Sequence, residues 1–173
     1  VPDESLEGKN LEESAESMGT TPAEAALRIY EKSEAMVVSY GMTDEDVETF
    51  AAHPLIAVAS DGESLSTEGV LSAGKPHPRS YGTNPRFIQK FVNEKKLVSI
   101  QEAIRKMTSM PAQRLGLTNR GRLTPGYAAD IVIMDLPNVE EKATFVDPHQ
   151  YPKGITHVIV NGEIVIKLSM IHI

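Results

Sequence analysis

The stretch Leu55–Ala59 (LIAVA) constrains the fold of this chain most, because it is apolar at five successive positions. A strand without polar alternation must be covered on both faces, as in a parallel sheet with helices packed on either side. A second run of this kind, Met36–Tyr40 (MVVSY), precedes it, and Gly41 ends that run. Between the two, Thr43 can cap a helix over Asp44–Ala52 whose first turn is acidic, as the helix dipole favours. Upstream, Thr21-Pro22-Ala23-Glu24 is a capping box that opens a helix over about 22–34, with Ala25, Ala26, Ile29 and Tyr30 on one face. A shorter helix fits Leu11–Met18 in the acidic, polar first twenty residues. Helix, strand, helix, strand predicts an α/β fold with a parallel sheet.

The second apolar run ends in an acid, Asp61, followed by a loop of small and polar residues. The loop closes on a basic cluster, Lys75-Pro76-His77-Pro78-Arg79. Side chains at the C-terminal ends of α/β strands face the crevice outside the sheet, where a proton-handling carboxylate is useful. Asp61-Gly62 is equally well explained as a turn, since Asp-Gly is common turn chemistry. Arg79, by residue type alone, is a solvated cation on a Pro-rich loop. The five histidines (53, 77, 149, 157 and 172) form neither His-x-His nor His-x3-His, and the chain has no cysteine. It therefore offers no local set of three ligands for a catalytic metal. His53 falls at a helix C-terminus, where its ordinary role is capping.

Helices are expected over about 84–95 and 100–108, the second capped by Ser99-x-x-Glu102, with a short helix from Pro111 to Gly116. The last fifty residues change character. Gly121–Gly126 (GRLTPG) is turn chemistry, Ala129–Met134 a strand, and Ile155–Val160, Asn161-Gly162, Glu163–Lys167 a hairpin around a type I′ turn. Two domains follow, an α/β segment over 1–118 and a small β unit over 119–173. A net charge of −7, without a basic or aromatic-interleaved stripe, argues against nucleic acid as partner. The absence of a long apolar span argues against a membrane, and the lack of cysteine suits the cytoplasm.

Five stretches carry a resemblance: ASDG at 59–62, GKPHPRSYGTNPR at 74–86, EAIRKMTSMPAQRLGL at 102–117, GRLTPGYAADIVIMD at 121–135 and ATFVDPHQYPKGITHVIVNG at 143–162. In these the chain resembles the C-terminal portion of the N-acyl-D-amino-acid deacylases (D-aminoacylases) of the amidohydrolase superfamily. The resemblance implies the last two βα units of a TIM barrel, with Met36–Tyr40 and Leu55–Ala59 as strands seven and eight, joined to a small β domain. It also implies zinc-dependent hydrolysis of the amide of an N-acyl-D-amino acid, the metal lowering the pKa of its bound water to about 7. Asp61 then matches the acid that takes a proton from that water, passes it to the leaving amine and touches a second metal position. Arg79 matches the arginine that binds the substrate α-carboxylate, for which its planar fork is suited. His77 either lines the pocket or orders the loop.

Two features depart from the family. A complete (β/α)8 barrel needs about 250 residues, and the histidine pair and bridging ligands of the early and middle strands have no counterpart here. The expectation is a fragment that cannot turn over or hold zinc alone, completed by an N-terminal part or by a second copy of itself. Its open strand edges favour association. A cyclic amidohydrolase of the hydantoinase or dihydroorotase type and a non-catalytic assembly module are the alternatives.

Overall fold

The computed structural model describes residues 4–32, 37, 39 and 41–167. The chain divides into two compact units, Val1–Gly41 and Met42–Ile173.

In the first unit a 3-10 turn (Glu4–Leu6) precedes α1 (Leu11–Ser17) and α2 (Pro22–Lys32). Asn10 caps α1 reciprocally: its side chain accepts from the Glu13 amide, and the Glu13 carboxylate accepts from the Asn10 amide, both at 2.9 Å. Thr21 accepts from the Glu24 amide at 3.3 Å, as its sequence predicts. The apolar face expected on α2 is narrower than its composition suggests. Ala25 is fully buried and Ile29 half-buried, but Ala26 and Tyr30 are exposed.

The second unit begins with α3 (Asp44–Ala52), capped by Thr43 and Asp46 in a second reciprocal box. His53 is its C-cap residue, with its ring accepting from the Leu55 amide at 3.3 Å. Leu55–Ala59 is not a buried strand. Leu55 is 77% exposed, the Ile56 amide turns back to the His53 carbonyl, and the Val58 amide donates to Lys106 at 3.2 Å. A strand needs a neighbour's ladder to satisfy its backbone. Among the described residues none lies alongside, so the run stays extended and open. The other run, Met36–Tyr40, falls largely outside the described residues.

α4 covers Arg79–Phe87, starting five residues earlier than the sequence suggests. Pro78 fixes the entry, and the His77 and Pro78 carbonyls accept the amides of Ser80, Tyr81 and Gly82. Pro85 sits inside this helix without an amide to donate, and a π-helical stretch (Ile88–Glu94) follows directly. α5 (Ile100–Met107) is capped by Ser99, and α6 (Ser109–Arg114) begins just before Pro111. The core gathers Ala51 of α3, Phe87 and Phe91, Val98, and Ala103 of α5. Lys90 to Asp44 at 2.9 Å, and Lys95 to Glu48, tie the π-helical stretch to α3.

Lys106 is buried inside this assembly, its ammonium donating to the carbonyls of Ala51 (2.7 Å) and His53. It closes the C-terminus of α3, where a cation is favoured. Burial pushes its pKa below the ordinary lysine value.

The remaining strands form one antiparallel sheet, β1 (Ile131–Met134), β2 (Ile155–Val160) and β3 (Glu163–Lys167), in that spatial order. Asn161 and Gly162 both take positive φ, 52° and 87°, as the type I′ hairpin requires. The turn is stapled by Asp130, which accepts from the Asn161 amide at 2.9 Å and pairs with Arg120. Arg120 also donates to the Asn161 side chain at 2.6 Å. No helix among the described residues is long and apolar enough to cross a membrane.

Candidate functional site

Asp61 and Arg79 are brought together although seventeen residues separate them. Asp61 follows the extended run and takes φ 49°, a left-handed conformation that Asp tolerates better than most residues. Gly62 follows because nothing larger fits: a Cβ there would lie 2.9 Å from Ser80 Cα. The Glu63 amide donates to the Ser80 hydroxyl at 3.2 Å. This stem returns the chain to the start of α4, whose first residue is Arg79. Its Nη2 lies 3.0 Å from Asp61 Oδ2.

The Asp61 side chain is 87% exposed and that of Arg79 44% exposed, so the pair is reachable from solvent. Such a pair stabilises the fold by only about 0–1 kcal/mol, and either partner can be drawn to a third group at little cost. A carboxylate acceptor for protons and a guanidinium fork for an anion therefore face one accessible spot.

His77 stands behind the pair. Its Nδ1 accepts from the Arg79 amide at 3.0 Å, and its ring meets Phe145 edge-on at 4.9 Å between centroids. Burial, and after it the charges of Arg79 and Arg86, hold its pKa below the ordinary imidazole value. A neutral imidazole keeps Nδ1 free to accept, and that bond helps set the backbone from which Arg79 projects. Two turns further along α4, Arg86 pairs with Glu141 at 2.9 Å, and the Glu141 amide donates to Gln89 at 2.8 Å. Gly82 faces that carboxylate, and a Cβ in its place would lie 2.7 Å from Glu141 Cγ.

Tyr81 and His149 lie inside the stretches RSYG and DPHQYP, where neither residue type marks a site by itself. Tyr81 Oη is 2.7 Å from the Ser66 carbonyl and 2.8 Å from His149 Nδ1. Their signal was an aromatic and an imidazole in separate motifs, which only the three-dimensional fold connects.

Among the described residues no three His, Cys, Asp or Glu side chains gather where they could hold a metal ion. Asp61 contributes one carboxylate, already paired with a cation. These residues do not fit a complete zinc site. Two hollows, about 260 Å³ beside Arg120 and Tyr127 and about 730 Å³ between Leu55, Ala57, Met110 and Leu115, are lined by neither Asp61 nor Arg79.

This arrangement coincides with a family match. Residues 70–166 match the amidohydrolase family, and the chain belongs to it. It is 37% identical to the N-acyl-D-aspartate deacylase of Alcaligenes xylosoxydans xylosoxydans over 155 residues, 90% of this chain and 29% of that relative. The fold superposes with TM-score 0.81 and 32% identity on an N-acyl-D-glutamate deacylase from Bordetella bronchiseptica, solved with zinc and a phosphonate mimic of the tetrahedral intermediate. That likeness covers 95% of this chain and 33% of the other. A D-aminoacylase solved for the role of its binuclear metal centre gives TM-score 0.81 at 33% identity, over 96% and 33% of the two chains. The chain thus spans about a third of the length of the relatives it matches.

Proposed function

We propose that this chain is the part of a metal-dependent N-acyl-D-amino-acid deacylase that supplies the proton-transfer acid and the substrate anchor. The single observation that carries the reading is the exposed 3.0 Å contact between Asp61 and Arg79, at the two ends of one loop. In the substrate complex the Arg79 guanidinium exchanges Asp61 for the α-carboxylate of the N-acyl-D-amino acid, binding it through two parallel N–H···O bonds. Asp61, released, accepts the proton of the attacking water and returns it to the leaving nitrogen as the amide C–N bond breaks. The products are a carboxylate and a free D-amino acid. His77, neutral and bonded to the Arg79 amide, keeps the anchor in place.

The rest of the assignment follows from the size of the match. We take residues 1–118 as the last two βα units of a (β/α)8 barrel and 119–173 as its small β domain. Most zinc ligands then lie outside this chain, and residues 1–173 alone neither hold the metal nor turn over. The open Leu55–Ala59 run becomes a paired strand when the rest of a barrel stands beside it, supplied by preceding polypeptide.

Assay of residues 1–173 and of the complete gene product on N-acetyl-D-glutamate, N-acetyl-L-glutamate and a cyclic diamide tests this. The expected result is hydrolysis of the D-enantiomer only, and only by a polypeptide longer than 1–173. Preference for the cyclic diamide would assign the chain to the cyclic amidohydrolases instead.

A further inference from the structure

Between Asp61 and Arg79 the chain makes a long excursion, and two of its carbonyls end on one pair of side chains. Ser66 lies on the outgoing arm and Gly74 on the returning arm. Tyr81 Oη is 2.7 Å from Ser66 O and 2.8 Å from His149 Nδ1, while His149 Nε2 is 2.9 Å from Gly74 O. The Tyr81 ring also meets His149 and Tyr151 edge-on, with centroids 5.6 and 6.1 Å away. The outgoing arm is closed on itself by the Ser66 amide, which donates to Leu71 O at 3.3 Å.

Proton counting decides the state of this chain of bonds. Carbonyl oxygens only accept, so the Ser66 and Gly74 contacts need a proton from Tyr81 and from Nε2 respectively. The middle contact needs a third proton. Tyr81 has one, a neutral imidazole has one, and an imidazolium has two. All three bonds form together only when His149 carries both protons; the neutral ring leaves one contact unmade. Burial, with Tyr151 beside it, raises the Tyr81 pKa above its ordinary value, so the hydroxyl keeps its proton at neutral pH. In the chain, Lys75 follows Gly74, and Asp147 precedes His149 by two residues with its carboxylate accepting from the Gln150 side-chain amide at 2.7 Å.

We propose that Tyr81 and His149 are positioning residues, a clamp that holds both arms of the segment joining Asp61 to Arg79 and grips fully only when the His149 ring is doubly protonated. The clamp deepens the deacylase reading and rests on it only for what it positions.

Hydrogen exchange and ring-nitrogen NMR on residues 1–173 test the clamp, and titration of the complete gene product with N-acetyl-D-glutamate tests the anchor. Tyr81→Phe, which gives up the bonds to the Ser66 carbonyl and His149, and His149→Ala, which gives up those to Tyr81 and the Gly74 carbonyl, are expected to speed exchange of the Glu63 and Ser66 amides about five- to tenfold, while amides of α5 stay unchanged. His149→Gln, which keeps a donor, recovers part of the protection. In the wild type, ring-nitrogen signals read whether both His149 nitrogens carry protons, and the same amides are expected to be better protected in that state than with one ring nitrogen bare; in His149→Gln that difference is gone. Unchanged exchange in Tyr81→Phe, or a His149 ring that loses a proton without effect on Glu63 and Ser66, overturns the clamp. Wild-type loop behaviour as expected, with no binding of N-acetyl-D-glutamate, keeps the clamp and removes the Arg79 reading.

Discussion

Arg79 is the residue on which recognition turns, and its geometry asks for a fork. Replacing it with Lys keeps the charge but not the two parallel donors, and Ala removes both. In the complete gene product, Arg79→Ala is expected to raise KM for N-acyl-D-amino acids by about ten- to a hundredfold, as expected for a lost charge-assisted hydrogen bond, with Arg79→Lys in between. Steady-state kinetics on N-acetyl-D-glutamate read this directly. His77 carries a pH signature. Its folded pKa is depressed, so as pH falls below the ordinary imidazole value of about 6.5 the unfolded chain takes up the proton first. Stability contributed by neutral His77 is therefore present above that value and lost as pH drops through the folded pKa. Urea midpoints measured from pH 7 to pH 5 should fall more steeply for the wild type than for His77→Gln.

At the scale of elements, Lys106 and Gly82 show where packing decides. Lys106→Met leaves the Ala51 and His53 carbonyls at the end of α3 without their donor. That change is expected to cost about 1–3 kcal/mol by urea unfolding. Gly82→Ala puts a Cβ against the Glu141 side chain, which must shift from its contact with Arg86, and should cost about 1–3 kcal/mol, seen as a lowered Tm. Neither role was legible in the chain. Lys106 sits in a helical repeat where a lysine ordinarily faces water, and only the meeting of α3 with α5 puts carbonyls around it. The caps at Thr43 and Ser99 and the Asn161-Gly162 hairpin were legible, because each is a contact among neighbours in sequence. Leu55–Ala59 departs from its sequence pattern for the opposite reason. Its apolar pattern reports what the segment is suited to pair with, and no paired strand stands beside it among the described residues.

For the whole molecule, the apolar surface left open sets the expectation. Ile164, Val165 and Ile166 of β3 are all exposed, so both faces of that strand present apolar side chains, as Leu55 does elsewhere. Single exposed apolar residues are ordinary, but a strand bare on both faces is a template for pairing. Residues 1–173 are expected to self-associate at micromolar concentration by sedimentation velocity; a compact monomer would count against uncovered barrel and sheet edges. Of the site, ASDG and PHPR mark Asp61 and Arg79 one by one, while their contact across seventeen intervening residues emerges only from the fold. The Tyr81–His149 contact is illegible in the chain because it joins segments sixty-eight residues apart.

The central claim is the division of labour between Asp61 and Arg79, and kinetics of Asp61→Asn beside Arg79→Ala in the complete gene product test it most directly. Asp61→Asn is expected to lower kcat by about 10²–10⁴-fold with KM nearly unchanged, as loss of a general acid–base does, while Arg79→Ala acts on KM. An Asp61→Asn enzyme that keeps its kcat and loses only affinity would contradict the account.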